Sequence, residues 1–523
     1  MRTSFCLVVG LLLVSAGVLL AAEKPNVLFI YTDDHSHRAV GCYPEAHDWV
    51  TTPNIDRLAE TGVRFSHAYI GTWCMPSRAT VLTGHLQTGV ESMRMEGQYP
   101  ASVYDPEQCP FWPRIFREHG YATAQLGKWH TGIDSGWGRD WDYQRVWNRP
   151  KYPENAGQYF YDQWIETNGG EKEVVEGYAT DNYNDWAVEF IENKGLGGDR
   201  EADQPWFLWV CYGAVHGPFT PADRHMDTYE GVEVPIPADL LPPREGKPTY
   251  SRDWGEWELR DGVPVRKGDS HQLTVTTNMI HGNTLNDWVR QYHQGVLAID
   301  EGVGRMLEAL DQTGQRENTM IIFAADQGYA WGQKGFRRKL APYDSTIRGP
   351  LIFSWPGHYA EDEVCGVPAG GQDLAPTVFA AAGIDLPWKM DGHNLTPLLE
   401  EPEGEAATNW EEPVLMVYTG QQYGSDTDVV PDDPKALAPA GVPWWVSLVT
   451  PDGRYKYIRT MIEGEPEELY DLVEDPEELV NLARDAANAE RVVAMREQTL
   501  AEMKKRGVGL AEAMPGVAGL PEG

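Results

Sequence analysis

The stretch NVLFIYTDDH, residues 26–35, begins as an apolar run and ends in acidic and polar residues. Short runs of Val, Leu, Phe and Ile that are bounded by polar residues are typical of buried strands. Three later runs, YATAQL, PWFLWVCY and TMIIFAA, have the same form, and ionisable or amide side chains follow each of them within a few residues. These four runs predict four strands whose carboxyl ends carry functional groups.

Helical patterns lie between these strands, for example NIDRLAETG at residues 54–62 and GVLAIDEGVGRMLEALDQTG at residues 295–314. The alternation predicts an α/β fold with a large, mostly parallel sheet sandwiched by helices. In such sheets ligands bind beyond the carboxyl ends of the strands. Loop polarity explains any one polar strand end, but four ends that carry acids, Lys and His are better explained by one assembled site.

The character of the sequence changes near residue 405, where a polar, acidic stretch begins. Beyond it, WWVSLVT and GRYKYIRT predict antiparallel strands joined by a turn at Asp452-Gly453. A terminal helix is expected at residues 486–505. We therefore expect a catalytic α/β domain at residues 23–405 and a smaller α+β subdomain with an antiparallel sheet at residues 406–523.

The first 22 residues have the form of a signal peptide, because Arg2 precedes an apolar run that ends in small residues before Glu23. A membrane anchor is the alternative, and the small residues favour cleavage. The mature chain is expected to be exported, periplasmic or extracellular, with no membrane insertion. Its net charge of −36 disfavours nucleic acid as a partner. Five cysteines remain after Cys6, an odd number, and Cys211 in an apolar run is expected to be a buried free thiol.

The stretch GTWCMPSRATVLTGH, residues 71–85, places a cysteine at a predicted helix start. Pro76 suits the first turn of a helix that ends near Gly84. The amide groups and dipole at such an end favour an anion, so the pKa of the Cys74 thiol is expected to be low. A cysteine protease would fit this feature. However, the neighbouring strand ends supply two Lys and three acids, which is more than a Cys-His pair needs.

CMPSRATVLTG resembles the signature of the type I, formylglycine-dependent sulfatases of the alkaline phosphatase superfamily, and the chain resembles bacterial polysaccharide sulfatases in particular. NVLFIYTDDH, GKWHTG, VHGPF, DQG followed by Lys339, and ELYDLVEDPEELVNLA occur in the family's order. The resemblance implies that a formylglycine-generating maturation enzyme oxidises Cys74 to an aldehyde. One hydroxyl of the hydrated aldehyde would attack sulfur, and the other would later expel sulfate from the covalent sulfo-enzyme.

The resemblance also implies a role for each matching residue. A Ca²⁺ ion, or Mg²⁺, is expected on Asp33, Asp34, Asp326 and Gln327, because oxygen ligands suit hard cations. Gln327 stands where the family more often has Asn or His. Arg78, Lys128 and Lys339 are expected to hold the diol and the sulfate, His130 to take the diol proton and His216 to protonate the leaving oxygen. His85 replaces a usual Arg, and its role stays open, as does that of His35.

The expected substrate is a sulfated carbohydrate, with an algal polysaccharide such as carrageenan as the lead. The chain has 20 Trp, whose faces can stack on sugar rings, and a Trp- and Arg-rich segment at residues 137–161 could wall the site. Alternatives are a phosphonate monoester or phosphodiester hydrolase, a two-zinc phosphatase, for which His ligands would be needed beside the acids, and a non-catalytic sugar-binding relative. Residues expected to contact the substrate are Arg139, Arg145, Arg149, Trp147 and His85.

Overall fold

A computed structural model describes residues 24–91, 93–94, 103–108, 110–196, 198–267 and 282–516 of the chain. The predicted signal peptide at residues 1–22 and Cys109 lie outside these ranges. The strands are β1 (Asn26–Thr32), β2 (Val63–Phe65), β3 (Ala68–Tyr69), β4 (Met93–Arg94), β5 (Val103–Tyr104), β6 (Ala122–Trp129), β7 (Tyr143–Asn148), β8 (Tyr161–Thr167), β9 (Lys172–Tyr178), β10 (Trp206–Cys211), β11 (Trp257–Arg260), β12 (Val263–Arg266), β13 (Thr319–Ala325), β14 (Leu351–Ser354), β15 (Glu363–Cys365), β16 (Ala369–Gly370), β17 (Val414–Tyr418), β18 (Trp445–Val449), β19 (Tyr455–Thr460) and β20 (Glu468–Asp471).

Helices cover both faces of the central sheet and the end of the chain. They are α1 (Pro53–Glu60), α2 (Cys74–Thr83), α3 (Pro113–Glu118), α4 (Ala179–Ile191), α5 (Thr249–Arg252), α6 (Leu285–Gln312), α7 (Asp344–Ile347), α8 (Leu374–Ala382), α9 (Thr396–Glu400), α10 (Glu405–Thr408), α11 (Pro434–Leu437) and α12 (Ala489–Lys505). Among the described residues, none of these helices is long and apolar enough to cross a bilayer.

The central sheet has ten strands in the order β15-β2-β14-β13-β1-β10-β6-β7-β8-β9. The four strands predicted from apolar runs, β13, β1, β10 and β6, are neighbours and run parallel to one another. Their carboxyl ends therefore meet at one edge of the sheet, as the sequence predicted. The antiparallel strands lie toward the sheet's two sides.

Alternate residues of β1 face two different hydrophobic layers. Leu28 and Ile30 pack into the layer that contains α1, α4 and α6. Val27, Phe29 and Tyr31 pack into the layer that contains α2, α3 and α8. A strand that is buried on both faces must be apolar throughout, which is why β1 reads as a continuous apolar run rather than an alternating one.

The Trp- and Arg-rich segment at residues 137–161, which was expected to wall the site, lies within a longer stretch at residues 131–180 that is largely strand. Much of it folds into β7, β8 and β9, which extend the central sheet beyond β6. Arg145 and Trp147 are therefore strand residues of β7. Their positions are fixed by the register with β6, where Arg145 lies beside Leu126 and Trp147 beside Lys128.

The C-terminal part forms the expected α+β unit. The strands β17, β18, β19 and β20 make an antiparallel sheet in that order, and Gly453 turns the chain between β18 and β19 with a positive φ of 70°. One face of this sheet packs against α12. The other face packs against residues that follow the catalytic strands, among them Phe336, Tyr343 and Ile347.

Candidate active site

Cys74 begins α2 and lies beneath the carboxyl ends of the parallel strands. The helix ends at Gly84, whose positive φ of 73° suits the left-handed cap. The Cys74 thiol is buried and donates to Asp33 Oδ1 at 3.1 Å. Lys339 Nζ donates to Cys74 Sγ at 3.0 Å. The thiol therefore sits between a carboxylate and an ammonium group that come from segments far apart in the sequence.

The expectation of a low thiol pKa is wrong. Burial raises the pKa of Cys74 to about 12, and the nearby Asp33 carboxylate adds to this rise. The charges of Lys128 and Lys339 act in the opposite direction but do not outweigh these two effects. An unactivated thiol in this position argues against a cysteine protease, because the thiolate is the nucleophile in such enzymes.

Three carboxylates converge beside Cys74. Oxygens of Asp33, Asp34 and Asp326 lie within 4.8 Å of one another, and all three residues are buried. The Gln327 amide contacts Asp34 Oδ1. Among the described groups, Asp326 Oδ2 and Gln327 Oε1 are buried without a hydrogen-bond partner. Three carboxylates and an amide oxygen, with too few hydrogen-bond donors around them, are suitable ligands for a hard divalent cation such as Ca²⁺ or Mg²⁺.

The surroundings shift the pKa values of Asp33 and Asp326 in opposite directions. Burial alone would raise the pKa of Asp33, but the charges of Lys128, His216 and Lys339 outweigh burial and hold it well below its usual range. The pKa of Asp326 is raised by burial and by the charge of Asp33. Close carboxylates oppose each other's ionisation, so a bound cation would favour the ionised form of both.

Three cations surround the thiol. Lys128 Nζ contacts the Asp33 carboxylate, and both side chains are fully buried. Arg78 Nη2 lies 3.5 Å from Asp326 Oδ2, and its guanidinium is 5.1 Å from the centre of the Tyr31 ring. Together with Lys339 these groups place positive charge where a bound anion would lie.

His216 faces the acids from the end of β10. Its Nδ1 lies 2.8 Å from the Gly217 carbonyl oxygen, which favours the proton on Nδ1, and its Nε2 lies 3.7 Å from Asp34 Oδ2. Burial lowers the pKa of His216 to about 4. The imidazole stacks on the Tyr159 ring with centroids 4.0 Å apart and an interplanar angle of 7°. Tyr159 was missed, because nothing distinguishes it from the other tyrosines of its segment.

His130 lies against Arg149. Arg149 Nη1 is 3.2 Å from His130 Nδ1, and the Arg149 guanidinium is 4.7 Å from the centre of the Tyr159 ring. Burial and the charge of Arg149 lower the pKa of His130 well below its usual range. Trp147 is buried beneath Tyr159, with ring centroids 4.9 Å apart. Arg149 and Trp147 therefore support the histidines from the side of β7.

The structure places Arg139 and Arg145 away from this cluster. Arg139 lines a cleft of about 680 Å³ with Tyr121 and Ala122, which lie at the opposite end of β6 from Lys128. It forms ion pairs with Asp134 and Asp140. Arg145 Nη1 lies 3.4 Å from Glu189 Oε2, and its guanidinium is 5.0 Å from the Trp186 ring, both on α4. The expectation that these two arginines wall the pocket beside Cys74 is therefore not met.

His85 and His35 also occupy positions that the sequence left open. His85 Nδ1 lies 3.4 Å from Asp391 Oδ2 at the C-terminal end of α2, about 15 Å along the helix from Cys74 at 1.5 Å per residue. His35 is buried, and its Nδ1 lies 3.1 Å from the Thr32 hydroxyl at the end of β1. His35 thus packs at the carboxyl end of β1 and contacts the last residue of that strand.

The fold and the site together define a hydrolase with a mostly parallel sheet between helices, whose cations suit an anionic ester. A family model described as Sulfatase matches residues 25–384, and the chain belongs to this family of sulfuric ester hydrolases.

The relatives and solved structures agree with this assignment. The chain is 28% identical to the N-acetylglucosamine-6-O-sulfatase of Bacteroides thetaiotaomicron over 92% of this chain and 87% of that protein. It is 26% identical to the N-acetylglucosamine-6-sulfatase of Homo sapiens over 91% and 84%. A solved structure in complex with its substrate, D-glucosamine-2-N,6-O-disulfate, is similar with a TM-score of 0.75 at 25% identity, covering 92% of this chain and 98% of that one. A structure in complex with a neocarrahexaose, at 22% identity and a TM-score of 0.64, shares the fold and covers 93% of each chain.

Proposed function

We propose that this sulfatase removes sulfate from a sulfated carbohydrate by means of formylglycine formed from Cys74. The observation that carries the proposal is the position of Cys74 Sγ, 3.1 Å from Asp33 Oδ1 and 3.0 Å from Lys339 Nζ. The thiol stands in for one hydroxyl of the aldehyde hydrate. A carboxylate on one side and an ammonium group on the other suit a hydroxyl that must lose a proton and attack an anion.

In this proposal the divalent ion, Ca²⁺ or Mg²⁺, would be held by Asp33, Asp34, Asp326 and Gln327. When bound, it supplies a Lewis acid that polarises a sulfate oxygen and favours deprotonation nearby. The choice of a hard cation is supported by the proposed ligand set of three carboxylates and an amide. His216 lies beside this set, with Nε2 3.7 Å from Asp34 Oδ2, and is assigned to proton transfer.

The remaining side chains act on the sulfate and on protons. Arg78, Lys128 and Lys339 would stabilise the negative charge that builds on the sulfate oxygens during attack. His216 would protonate the leaving oxygen of the sugar from Nε2. Because the Gly217 carbonyl favours the proton on Nδ1, Nε2 must first take up a proton, and the negative charge of a bound sulfate ester would favour this imidazolium form. His130 would accept the proton of the second hydroxyl when sulfate is expelled, while Arg149 holds its ring in place.

Two substrate classes are candidates. The relatives named above support a 6-O-sulfated amino sugar, because two of them are N-acetylglucosamine-6-sulfatases at 28% and 26% identity. A carrageenan-type galactan from algae, expected from the sequence, is the second candidate. A phosphonate monoester hydrolase of Agrobacterium radiobacter shares the fold at 21% identity, so phosphonate and phosphodiester hydrolysis is the alternative reaction.

Peptide mass spectrometry tests the nucleophile. After coexpression with a formylglycine-generating enzyme, the peptide that contains Cys74 should carry an aldehyde in place of the thiol. Cys42 offers an internal control, since it is a partly exposed thiol outside the site and should remain unmodified. A fully active preparation that carries only unmodified Cys74 would contradict the proposed nucleophile.

A substrate panel tests the activity. Defined 6-O-sulfated N-acetylglucosamine, sulfated carrageenan oligosaccharides, an aryl sulfate and a phenylphosphonate monoester should be compared under identical conditions. We expect a sulfated saccharide to have the highest kcat/KM. If the aryl sulfate or the phosphonate is by far the better substrate, the carbohydrate assignment fails.

The proposed place of action is outside the cytoplasm. It is supported by the signal peptide pattern at residues 1–22 and by the acidic composition. Amino-terminal sequencing of protein recovered from the periplasm or the medium should begin near Glu23. Recovery of the intact amino terminus from the cytoplasm would contradict export.

A further inference from the structure

A cluster of arginines lies beside the catalytic segment and has no role in the chemistry described above. Arg338 Nη2 donates to Glu256 Oε1 at 2.6 Å, and Arg337 Nε lies 3.4 Å from the same oxygen. Arg266 has no ion pair among the described residues. Two guanidinium groups therefore share the Glu256 carboxylate, and the third has no ion pair in the part of the chain that the structure describes.

Aromatic rings hold these guanidinium groups in place. The guanidinium carbons of Arg266 and Arg337 lie 5.3 and 5.1 Å from the centre of the same Trp288 ring, so one aromatic side chain packs against both groups. Arg338 lies 4.9 Å from the Trp254 ring. An arginine that rests on an aromatic face loses little further freedom when it binds an anion, because its fork is already oriented.

The cluster is tied to the catalytic site by the chain itself. Arg337 and Arg338 directly precede Lys339, whose Nζ lies 3.0 Å from Cys74 Sγ. The Tyr329 hydroxyl donates to the Arg337 carbonyl oxygen at 2.6 Å, and Tyr329 follows the predicted metal ligand Gln327 by two residues. Arg337 and Arg338 therefore belong to the segment that carries Lys339 to Cys74, and Tyr329 connects this segment to the predicted metal ligand Gln327.

The charge of the cluster is unbalanced. Three positive groups and one carboxylate leave a surplus of two positive charges in a chain whose net charge is −36. Burial and the repulsion of Arg337 lower the pKa of Arg266. Arg337 and Arg338 keep side-chain exposures of 20% and 30%. Arg338 already donates to Glu256 Oε1 and, from Nη1, to the Ala440 carbonyl oxygen at 3.2 Å, whereas the terminal nitrogens of Arg337 have no hydrogen-bond partner among the described residues. An arriving anion would relieve the repulsion and accept charge-assisted hydrogen bonds.

We propose that Arg266, Arg337 and Arg338 form a second anion-binding site, which takes another sulfate or a carboxylate on the same glycan whose sulfate ester lies at Cys74. The inference rests on the proposed function and deepens it, because it defines the substrate as a saccharide with at least two anionic groups. Arg78, Lys128 and Lys339 bind the sulfate ester that is cleaved. The arginine cluster binds the second anionic group and so determines which saccharide is preferred.

Steady-state kinetics on the matured full-length enzyme test this site. The substrates are glucosamine 6-O-sulfate, glucosamine 2-N,6-O-disulfate, a 6-O-sulfated glucosamine linked to a uronate, mono- and disulfated carrageenan disaccharides, and 4-methylumbelliferyl sulfate. The wild type should show at least a tenfold lower KM for a dianionic saccharide than for its monosulfated partner. Preference for the disulfated or for the uronate-linked form identifies the second anion. Equal KM values for all mono- and dianionic pairs would overturn the proposal.

Two variants assign the preference to the cluster. Arg337→Gln and Arg266→Gln should each raise KM for the preferred dianionic saccharide about tenfold and leave kcat and KM for 4-methylumbelliferyl sulfate unchanged. Arg260→Gln is the matched control, because Arg260 lies in the neighbouring strand β11, pairs with Glu258 and has a side-chain exposure of 58%. Unaltered KM values in both cluster variants, or equal losses on the aryl sulfate, would overturn the proposal.

A binding measurement separates failure of this site from failure of the proposed function. Calorimetry on Cys74→Ala, which needs no turnover, should give a Kd for the preferred dianionic saccharide at least tenfold below that for the monosulfated one. Arg337→Gln in that background should abolish the difference. A wild type that cleaves no sulfate ester would refute the proposed function, while the calorimetric comparison would still support or overturn the second anion site.

Discussion

Replacing Lys456 by Met should destabilise the folded chain by about 3–5 kcal/mol, because it removes a lysine that pairs with two acids in a buried group of charges between the C-terminal sheet and the catalytic domain. Lys456 on β19 is fully buried, and its Nζ lies 2.6 Å from Asp344 Oδ1 and 2.5 Å from Glu478 Oε1. The side chains of both acids are also buried, with exposures of 3% and 1%. Methionine keeps the length of the side chain and removes its charge.

The magnitude follows from two considerations. The charge-assisted hydrogen bond to Asp344 is worth about 1.5–3 kcal/mol, and the ion pair with Glu478 adds to this. Removing one partner of a buried ion pair costs about 3–5 kcal/mol, because the other charge stays buried without compensation. In the variant, Asp344 still has two partners, Arg348 at 3.8 Å and the Tyr69 hydroxyl at 3.0 Å. These contacts favour a loss in the lower part of the range of about 3–5 kcal/mol.

The pH dependence has a defined sign. Burial would raise the pKa of Asp344, but Lys456 and Arg348 hold it below its usual value of 3.8. A depressed carboxyl pKa contributes stability above the unfolded value and loses it as the pH falls. The variant's deficit should therefore be greatest near neutral pH. It should shrink below about pH 4, where protonation removes the unpaired charges that the substitution leaves.

Guanidinium unfolding followed by tryptophan fluorescence, compared with loss of activity, measures the effect. Lys505→Met is the matched control, because Lys505 pairs with Glu412 at 2.8 Å with a side-chain exposure of 52% and should contribute only about 0–1 kcal/mol. Adding Glu478→Gln to Lys456→Met should recover part of the loss. A loss below about 1 kcal/mol for Lys456→Met, or no recovery in the double variant, would refute the reasoning.

Three further predictions concern the metal, the acid and pH. Dialysis against EDTA should abolish desulfation and Ca²⁺ should restore it, whereas two bound zinc ions per chain would contradict the hard-cation site. His216→Ala should lower kcat by about 10²–10⁴-fold on sugar sulfates and far less on activated aryl sulfates, and equal losses would show that His216 binds rather than donates a proton. Burial raises the pKa of Asp300 from 3.8 to about 6, although Asp300 accepts the amide hydrogen of Ile55 at 2.8 Å. The free energy of unfolding should therefore fall as the pH rises from about 4 to about 6. In thermal melts, Asp300→Asn should reduce this dependence of the melting temperature on pH. An unchanged pH dependence in the variant would contradict the role of Asp300.

The parallel strands were predictable because their signal is local. TMIIFAA became β13, and PWFLWVCY contains β10, since a strand that is buried on both faces must be apolar throughout. Helix α6 begins at Leu285, ten residues before the predicted pattern at residue 295. Its first turns place Leu285, Trp288, Val289 and Tyr292 at helical spacing, and all four are buried. The capping box formed by Thr284 and Asp287 was the available signal for that start.

Other features depend on tertiary contacts. The strands β7 to β9 were missed because their aromatic and charged residues do not form one apolar run. The rule for a thiol at a helix start failed at Cys74 because burial and Asp33, brought to 3.1 Å by the fold, reverse the effect of the helix. Tyr159 stacks on His216, and no sequence pattern predicts this contact.

The C-terminal sheet belongs to the catalytic machinery although the predicted boundary near residue 405 separates them in sequence. Leu340, which follows Lys339, has a φ of 87°, a conformation that costs a non-glycine residue about 1–3 kcal/mol and persists only where neighbours enforce it. Trp445 on β18 supplies such a neighbour, because its indole donates to the Leu340 carbonyl oxygen at 2.7 Å. Three residues later the Tyr343 hydroxyl donates to Glu468 Oε2 at 2.9 Å on β20. The segment that aims Lys339 at Cys74 is thus fixed from the C-terminal side, and the two parts of the chain must fold together to form one site.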